Sequence, residues 1–191
     1  MNTGTLCIIQ ARLGSTRLPD KMLLPLGGES LIARAWRMAT DTFGDESVVI
    51  ACPAADVDTF TAEVPHAEIF GWDGPADDLL GRFYACANRY RWHPDTVIVR
   101  WTPDDPFKSV RHCLEVEAGA RHPVELGCEA FTLQMLRRAN AMTAPEELGI
   151  REHLSRHPML FAGSAPPCPE GVWTIDTEAD YEAAQARIDA N

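Results

Sequence analysis

The sequence predicts an α/β protein with one doubly wound, mostly parallel sheet and helices on both faces. Short apolar runs alternate with amphipathic stretches up to residue 101. Such alternation is typical of a parallel sheet, because each crossover between parallel strands needs a long connection, usually a helix. The chain of 191 residues is 46% hydrophobic and contains no internal repeat. This length and composition predict a single domain over residues 1–191 with a sizeable core.

The elements follow from the spacing of the apolar residues. Four apolar runs have the length and composition of buried strands, at residues 6–9, 47–52, 67–70 and 95–101. Three stretches between them have apolar residues three and four positions apart and are predicted helices, at residues 29–42, 55–64 and 76–91. Pro53 ends the second strand, and a turn cluster at 71–75 follows the third.

The composition excludes several classes of protein. The formal net charge of −11 argues against binding to a nucleic-acid backbone or an anionic membrane surface. No apolar run approaches the roughly 20 residues of a membrane helix, and the first residues lack the basic-then-apolar pattern of a signal peptide. We therefore expect a cytoplasmic protein with no nucleic-acid and no membrane partner.

The cysteines and histidines do not have the spacing of a metal site. Six cysteines are scattered without a C-x-x-C pair, which predicts reduced, buried thiols. His153 and His157 lie four residues apart on a predicted helix over 151–157. A metal pair is one interpretation, but no other ligands cluster nearby, so we favour an exposed helix face.

The loop after the first strand has the chemistry of a polyphosphate site. Arg12, Arg17 and Lys21 lie within ten residues of an acidic chain that has only two lysines. Arginine can hold phosphate oxygens in a fork, and lysine supplies a mobile point charge. The alternative is a solvated basic loop beside a core strand. The glycine pattern matches neither G-x-x-x-x-G-K-[ST] nor a strict G-x-G-x-x-G, so ATPase and dinucleotide loops are not supported.

The run from Gln10 to Lys21 resembles the signature of the sugar-acid cytidylyltransferases. It is most similar to the branch named for spore coat polysaccharide biosynthesis protein F, which is related to the 3-deoxy-manno-octulosonate and acylneuraminate enzymes. The resemblance implies a Rossmann-like nucleotide-diphospho-sugar transferase fold in which this loop wraps the triphosphate of CTP. The implied CTP-binding residues of the loop are Ala11, Arg12, Gly14, Ser15, Thr16, Arg17 and Lys21. Asp20 stands where the family usually has glycine.

Two further runs resemble the metal-binding motifs of that family. In the run 99–106 the resemblance implies that Asp104 holds Mg²⁺, although Asp105 stands where the family has cysteine or asparagine. The run 172–180 resembles the family's threonine-valine-aspartate-threonine motif, which implies that Asp176 is the second metal ligand. Oxygen ligands and a polyphosphate are what Mg²⁺ prefers. The alternative for the second run is helix capping by Asp176 or Thr177.

Weaker resemblances add three binding residues. The segment 74–84 is similar to the one that holds the base and ribose, which implies a role for Arg82; the alternative is a surface arginine. Arg100 and Thr102 would face the nucleotide or the acceptor. Residues 151–153 are similar to an arginine-glutamate-histidine stretch of the family.

Together these resemblances imply an enzyme that transfers CMP from CTP to a sugar acid or similar small acceptor for surface polysaccharide or glycoconjugate synthesis. Arg12, Lys21 and Asp104 would be catalytic, Mg²⁺ the cofactor, and a homodimer is consistent with the family. Residues 1–120 would form the nucleotide-binding part and residues 121–191 a shortened acceptor part. Because residues 120–126 replace a longer family segment, we expect an open acceptor side.

Three alternatives remain on the sequence alone. One is a glycosyltransferase that uses a nucleotide-sugar with manganese at Asp104 and Asp105; the phosphate-binding loop speaks against it, because a diphosphate-sugar has no γ-phosphate. The second is a non-catalytic nucleotide-binding homologue. The third is a guanylyl- or uridylyltransferase, because the sequence does not define the base pocket.

Overall fold

The structure, a computed structural model, describes residues 4–90 and 93–190. Its strands are β1 Thr5–Gln10, β2 Pro25–Leu26, β3 Glu29–Ser30, β4 Val48–Pro53, β5 Ile69–Trp72, β6 Val97–Trp101 and β7 Cys128–Thr132. Its helices are α1 Leu31–Phe43, α2 Val57–Glu63, α3 Leu79–Arg89, α4 Val110–Glu115, α5 Leu133–Met142, α6 Leu148–Arg151 and α7 Glu178–Asp189.

Five of the strands form one sheet in the order β5-β4-β1-β6-β7. The pairs β4–β5, β1–β4 and β1–β6 are parallel, and β7 joins the edge antiparallel to β6. The predicted mostly parallel sheet is therefore confirmed. The strand order reverses at β1, so a crevice opens at the carboxyl ends of β1 and β6, where α/β sheets bind ligands.

The sheet has a hydrophobic core on each face. Side chains along a strand point alternately to opposite faces. Leu6 and Ile8 pack with buried residues of α3 and α5, whereas Cys7 and Ile9 pack with those of α1 and α2 on the other face. All four strand residues are 0–2% exposed. The prediction of helices on both faces is confirmed.

Capping side chains place the helix starts later than the sequence predicts. Helix α3 begins at Leu79 instead of residue 76, because the Asp78 carboxylate accepts the Gly81 amide at 2.8 Å. Its predicted end at Arg91 lies outside the described residues. Helix α1 begins at Leu31, because Ser30 caps it and residues 29–30 pair with 25–26 in a hairpin. A side chain that accepts an amide of the first turn fixes the start of a helix.

The predicted helix over 151–157 is wrong. Helix α6 ends at Arg151, and only a 3₁₀ turn, Leu154–Arg156, follows. His157 is 1% exposed, and its Nε2 lies 3.0 Å from Thr143 Oγ1. The prediction that His153 and His157 share an exposed helix face is therefore also wrong, since only His153 is exposed.

The cysteines are free thiols, and five of the six are buried. Cys168 is the exception, because it lies on an exposed loop. Burial raises the pKa of Cys52 to about 12, so that thiol stays protonated. None of the helices within 4–90 and 93–190 has the length and apolarity needed to cross a bilayer.

Candidate functional site

A polar cleft of about 280 Å³ lies at the carboxyl ends of β1 and β6. Three distant stretches of the chain supply its polar lining, namely Gln10, Arg12, Ser15, Thr16, Arg17, Lys21, Arg100, Thr102, Asp104, Asp105 and Asp176. The structure thus brings together most of the residues that the sequence suggests. Ala11, Gly14 and Arg82 do not line this cleft.

Lys21 lies between the two predicted metal ligands. Its Nζ donates to Asp104 Oδ2 at 2.7 Å, to Asp176 Oδ1 at 3.3 Å and to the Ile175 carbonyl at 2.8 Å. Lys21 is only 6% exposed, so these contacts are partly shielded from water. Lys21, which is 155 residues away in sequence from Asp176, therefore joins the basic loop after β1 to the C-terminal segment.

Asp20 has a backbone conformation that favours glycine. It is the one non-glycine residue of the described chain with a positive φ, at 51° with ψ 26°. Glycine adopts this left-handed conformation without steric cost, and aspartate is among the few other residues that do so readily. The turn at Asp20 directs Lys21 toward Asp104 and Asp176.

The two carboxylates fit a divalent cation that phosphate oxygens and water would help to coordinate. Asp104 Oδ2 and Asp176 Oδ1 both contact the Lys21 Nζ. The distance between these two oxygens therefore cannot exceed the sum of their distances to that nitrogen. The described residues contain no group of three or more His, Cys, Asp or Glu suited to a metal ion. Mg²⁺ does not need one, since it binds through one or two carboxylates together with substrate phosphates. The ammonium group of Lys21 shows that this place accommodates positive charge.

The two arginines of the first loop are solvent-accessible. Arg12 Nη1 lies 2.7 Å from Asp77 Oδ1, and Arg17 Nη2 lies 2.9 Å from Asp176 Oδ1. The side chains of Arg12 and Arg17 are 48% and 66% exposed. Exposed ion pairs contribute only about 0–1 kcal/mol, so either arginine can exchange its carboxylate for an incoming anion at little cost.

Arg82 is buried, and the alternative of a surface arginine is wrong. It is 2% exposed, and it donates from Nη1 to the Ala11 carbonyl and from Nη2 to the Ala76 carbonyl, each at 3.0 Å. Burial, and next the charge of Arg12, lowers the pKa of Arg82 to about 10. The guanidinium therefore fixes the backbone on both sides of a recess that adjoins the cleft.

That recess has a volume of about 70 Å³ and shares Gln10 and Arg12 with the cleft. Glu152 and His153 form its outer wall. They are held there by Arg151, whose Nε and Nη2 bind the two carboxylate oxygens of Asp78 at 2.8 and 2.9 Å. This buried bidentate pair joins the C-terminal part of the chain to the start of α3. The sequence resemblance at 151–153 gave no indication of this pairing.

A buried polar network lies next to Asp104. Asp105 is 2% exposed and accepts hydrogen bonds from Thr102 Oγ1 and, at 2.5 Å, from Thr174 Oγ1. Lys108 is 5% exposed and donates to the carbonyls of Thr102 at 2.5 Å and Gly127 at 2.9 Å. Burial, and next the charge of Asp104, raises the pKa of Asp105 to about 7, and burial lowers the pKa of Lys108.

Arg100 is held in the cleft by a partner that sequence reasoning missed. Its Nη1 lies 2.5 Å from Glu129 Oε2, and its Nε donates to Gln10 Oε1 at 2.9 Å. Glu129 is 1% exposed and lies directly opposite Arg100 in the β6–β7 register. An acid inside the otherwise apolar run 128–131 was the available signal. Without a predicted β7 it had no assigned partner.

The capping alternative and the cleft position hold together at the last motif. Thr177 Oγ1 accepts the Asp180 amide, and the Asp180 carboxylate accepts the Thr177 amide, which forms a capping box at the start of α7. Asp176 does not cap the helix with its side chain. Its carboxylate instead faces Lys21 and Arg17 in the cleft.

A second cavity, of about 400 Å³, adjoins the cleft and shares Val124 with it. One wall is formed by 121–125, and the other by 155–156 together with 165–166 and 168. The two walls are connected by a parallel bridge between Ala120 and Ala162. The charged residues of the lining are Arg121, Arg156 and Glu125, and His122 lies beside them.

Comparison with known proteins gives a consistent family. The sequence profile of the family described as Cytidylyltransferase matches residues 6–119. A 3-deoxy-manno-octulosonate cytidylyltransferase of Methylococcus capsulatus is 35% identical over 100 residues, which is 52% of this chain. The spore coat polysaccharide biosynthesis protein SpsF of Bacillus subtilis is 29% identical over 95% of this chain and 85% of its own length. The chain spans 26–38% of the length of the 3-deoxy-manno-octulosonate cytidylyltransferases that it matches.

Among solved structures, a cytidylyltransferase from Leptospira borgpetersenii superposes with a TM-score of 0.77 at 24% identity. The superposition covers 98% of this chain and 87% of the other. At this identity the likeness establishes the fold.

Proposed function

Because this chain belongs to the cytidylyltransferase family, we propose that it transfers CMP from CTP to a small acid, such as a sugar acid, and releases pyrophosphate. The product would serve the synthesis of a surface polysaccharide or glycoconjugate. One observation carries the proposal. Lys21, at the end of the basic loop, lies between Asp104 and Asp176, so the cations for a triphosphate and the carboxylates for a metal face one cleft.

The proposed reaction is an in-line displacement at the α-phosphorus. An acceptor oxygen forms a bond to phosphorus and, where it is a hydroxyl, loses its proton to solvent, while the bond to the bridging oxygen breaks and pyrophosphate leaves with that electron pair. Positioning and charge neutralisation dominate such chemistry. Arg12, Arg17 and Lys21 would bind the β- and γ-phosphates and offset the charge that develops on the leaving group.

The remaining polar groups would orient the nucleotide. Asp104 and Asp176 would hold Mg²⁺, which when bound supplies Lewis-acid stabilisation of phosphate charge. The recess next to the cleft would hold the nucleotide base, and Arg82 would shape that recess through its hydrogen bonds to the Ala11 and Ala76 carbonyls. Arg100, fixed by Glu129, would face the transfer site.

The second cavity is the proposed acceptor site. It meets the cleft at Val124, and its lining includes Arg121, His122 and Arg156 in a chain of net charge −11. A local excess of cations favours an acidic acceptor. Residues 155–156, 165–166 and 168 would supply a wall of the acceptor site opposite 121–125.

The test is an assay of pyrophosphate release. The protein is incubated with Mg²⁺, each of the four nucleoside triphosphates and a panel of sugar acids that includes 3-deoxy-manno-octulosonate. We expect pyrophosphate only with CTP and an acid acceptor, and none after chelation of the metal. Release that is faster with UTP or GTP, or no release with CTP and any acceptor, would contradict the proposal.

A further inference from the structure

The segments that carry Asp104 and Asp176 are joined to each other by two hydrogen bonds that do not involve Lys21. Asp105 follows Asp104, and Thr174 precedes Asp176 by two residues. Thr174 Oγ1 donates to Asp105 Oδ1 at 2.5 Å, and the Ile175 amide donates to the Asp104 carbonyl at 2.8 Å. The first of these bonds is a side-chain contact in a partly buried place, and neither partner is assigned a role by the proposed reaction.

Asp105 is itself immobilised. Its second carboxylate oxygen accepts from Thr102 Oγ1, so both oxygens are occupied. Lys108 holds the same turn by donating to the Thr102 and Gly127 carbonyls, and its Nζ lies 4.4 Å from the centre of the Trp101 ring. Asp105 therefore offers Thr174 a fixed acceptor.

The Thr174–Asp105 hydrogen bond can hold the two carboxylate-bearing segments together when the cleft is filled. Two adjacent carboxylates repel each other, and in the free protein the Lys21 ammonium offsets that repulsion. In the proposed reaction Lys21 turns to the triphosphate, and Mg²⁺ would replace it as the shared counter-charge of the two carboxylates. The Thr174–Asp105 hydrogen bond joins the two segments and does not depend on Lys21.

We propose that Thr174 and Asp105 are positioning residues, which set the separation of the Asp104 and Asp176 carboxylates for a divalent cation bound with the triphosphate. The inference rests on the proposed function for that cation. It is specific to this chain, because the resemblance gives cysteine or asparagine as the usual residue at position 105. Partners of metal ligands typically change metal affinity by about 10–100-fold when they are removed.

The test measures binding of Mn²⁺, a spectroscopic substitute for Mg²⁺, to the full chain in the presence of CTP without acceptor. The loss of the free Mn²⁺ electron paramagnetic resonance signal reports binding without any turnover. Thr174→Val removes the hydroxyl at nearly constant volume, and Thr174→Ser restores it. Thr96→Val is the matched control, because Thr96 is 0% exposed and its Oγ1 has no partner among the described residues.

We expect Thr174→Val to weaken Mn²⁺ binding about 10-fold, with Thr174→Ser and Thr96→Val close to the wild-type value. Wild-type affinity in Thr174→Val, with or without a lower melting temperature, would overturn the inference and leave the proposed function standing. If the expected pattern is observed but the wild-type protein releases no pyrophosphate with any acceptor, the transfer proposal fails and the positioning role stands.

Discussion

The two sides of the cleft solve different problems with different chemistry. On the side of the loop 10–21, the proposed phosphate-binding loop, Arg12 and Arg17 are about half exposed or more, and each makes an ion pair with one carboxylate. On the carboxylate side, Asp105 and Lys108 are at most 5% exposed and each has at least two hydrogen-bond partners. Exposed charges can follow a ligand that arrives and leaves. Buried, multiply bonded groups would keep Asp104 and Asp176, the proposed metal ligands, in place, which predicts different responses to mutation on the two sides.

The largest effect is expected where a buried pair loses one charge. Arg151→Met should lower the free energy of unfolding by about 3–5 kcal/mol, because it leaves Asp78 buried without its partner. Arg12→Met removes an exposed pair and should cost about 1 kcal/mol or less. Urea unfolding followed by circular dichroism measures both. Equal losses in the two variants would break the comparison between buried and exposed charges.

The next effect concerns Asp104 and Asp176, the proposed metal ligands. Asp104→Asn and Asp176→Asn should each lower kcat by about 100-fold or more, since metal stabilisation of the transition state is worth several kcal/mol. The far-ultraviolet circular dichroism should not change. The control is Asp41→Asn, an exposed acid on α1. Undiminished magnesium-dependent turnover in either variant would show that its carboxylate holds no metal.

A smaller effect is expected for triphosphate binding. Lys21→Ala and Arg12→Ala should each weaken CTP binding by about 1.5–3 kcal/mol and CMP binding far less, because both cations would contact the outer phosphates. Only Lys21→Ala should also lower the melting temperature, since it leaves Asp104 and Asp176 without their shared cation. Titration calorimetry measures the affinities, with Arg37→Ala, an arginine of the α1 surface, as the control. Unchanged CTP affinity in both variants would exclude a phosphate-binding loop.

The smallest effect extends the comparison to a buried group outside the cleft. Burial, and next the charge of Arg151, lowers the pKa of His157, whose Nδ1 accepts the Met159 amide at 3.2 Å. His157 in the unfolded chain, with a pKa near 6.5, therefore takes up its proton at a higher pH than His157 in the folded chain. Stability should therefore be complete above that pH and decrease as the pH falls below it, by at most about 1.4 kcal/mol per pH unit.

Melting temperatures between pH 8 and pH 5 test this dependence. His157→Gln should flatten the curve, and His66→Gln, at an exposed histidine, should leave it unchanged. An identical pH dependence in His157→Gln and the wild-type protein would assign the effect to other groups.

The difference between local and long-range contacts explains how much of the structure could be predicted from the sequence. Each parallel strand, and likewise the loop 10–21, is one contiguous stretch of sequence. The apolar composition of the strands and the local charge of the loop can therefore be read directly from the sequence. Asp104 and Asp176 were suggested one at a time, each from its own motif. Their common contact with Lys21 depends on packing that joins positions far apart in the chain.

The unpredicted features depend on pairing between remote segments. Strand β7 is antiparallel and short, and without it Glu129 had no visible partner for its charge. Helix capping by Asp78 was visible locally, but its pairing with Arg151 was not. The error at 151–157 has the same origin, because tertiary contacts of His157 with Thr143 override a helical spacing that is only a weak local preference.

The chain has two lysines against fifteen arginines, and both lysines are buried in or beneath the cleft. Acylating reagents that attack neutral amines therefore meet no exposed lysine side chain on this molecule. Lys21 could be acylated only after it leaves the Asp104 and Asp176 carboxylates, and Lys108 only after the turn at Thr102 opens. The acylation rate of Lys21, followed by peptide mass, would then record how often the cleft releases its own cation.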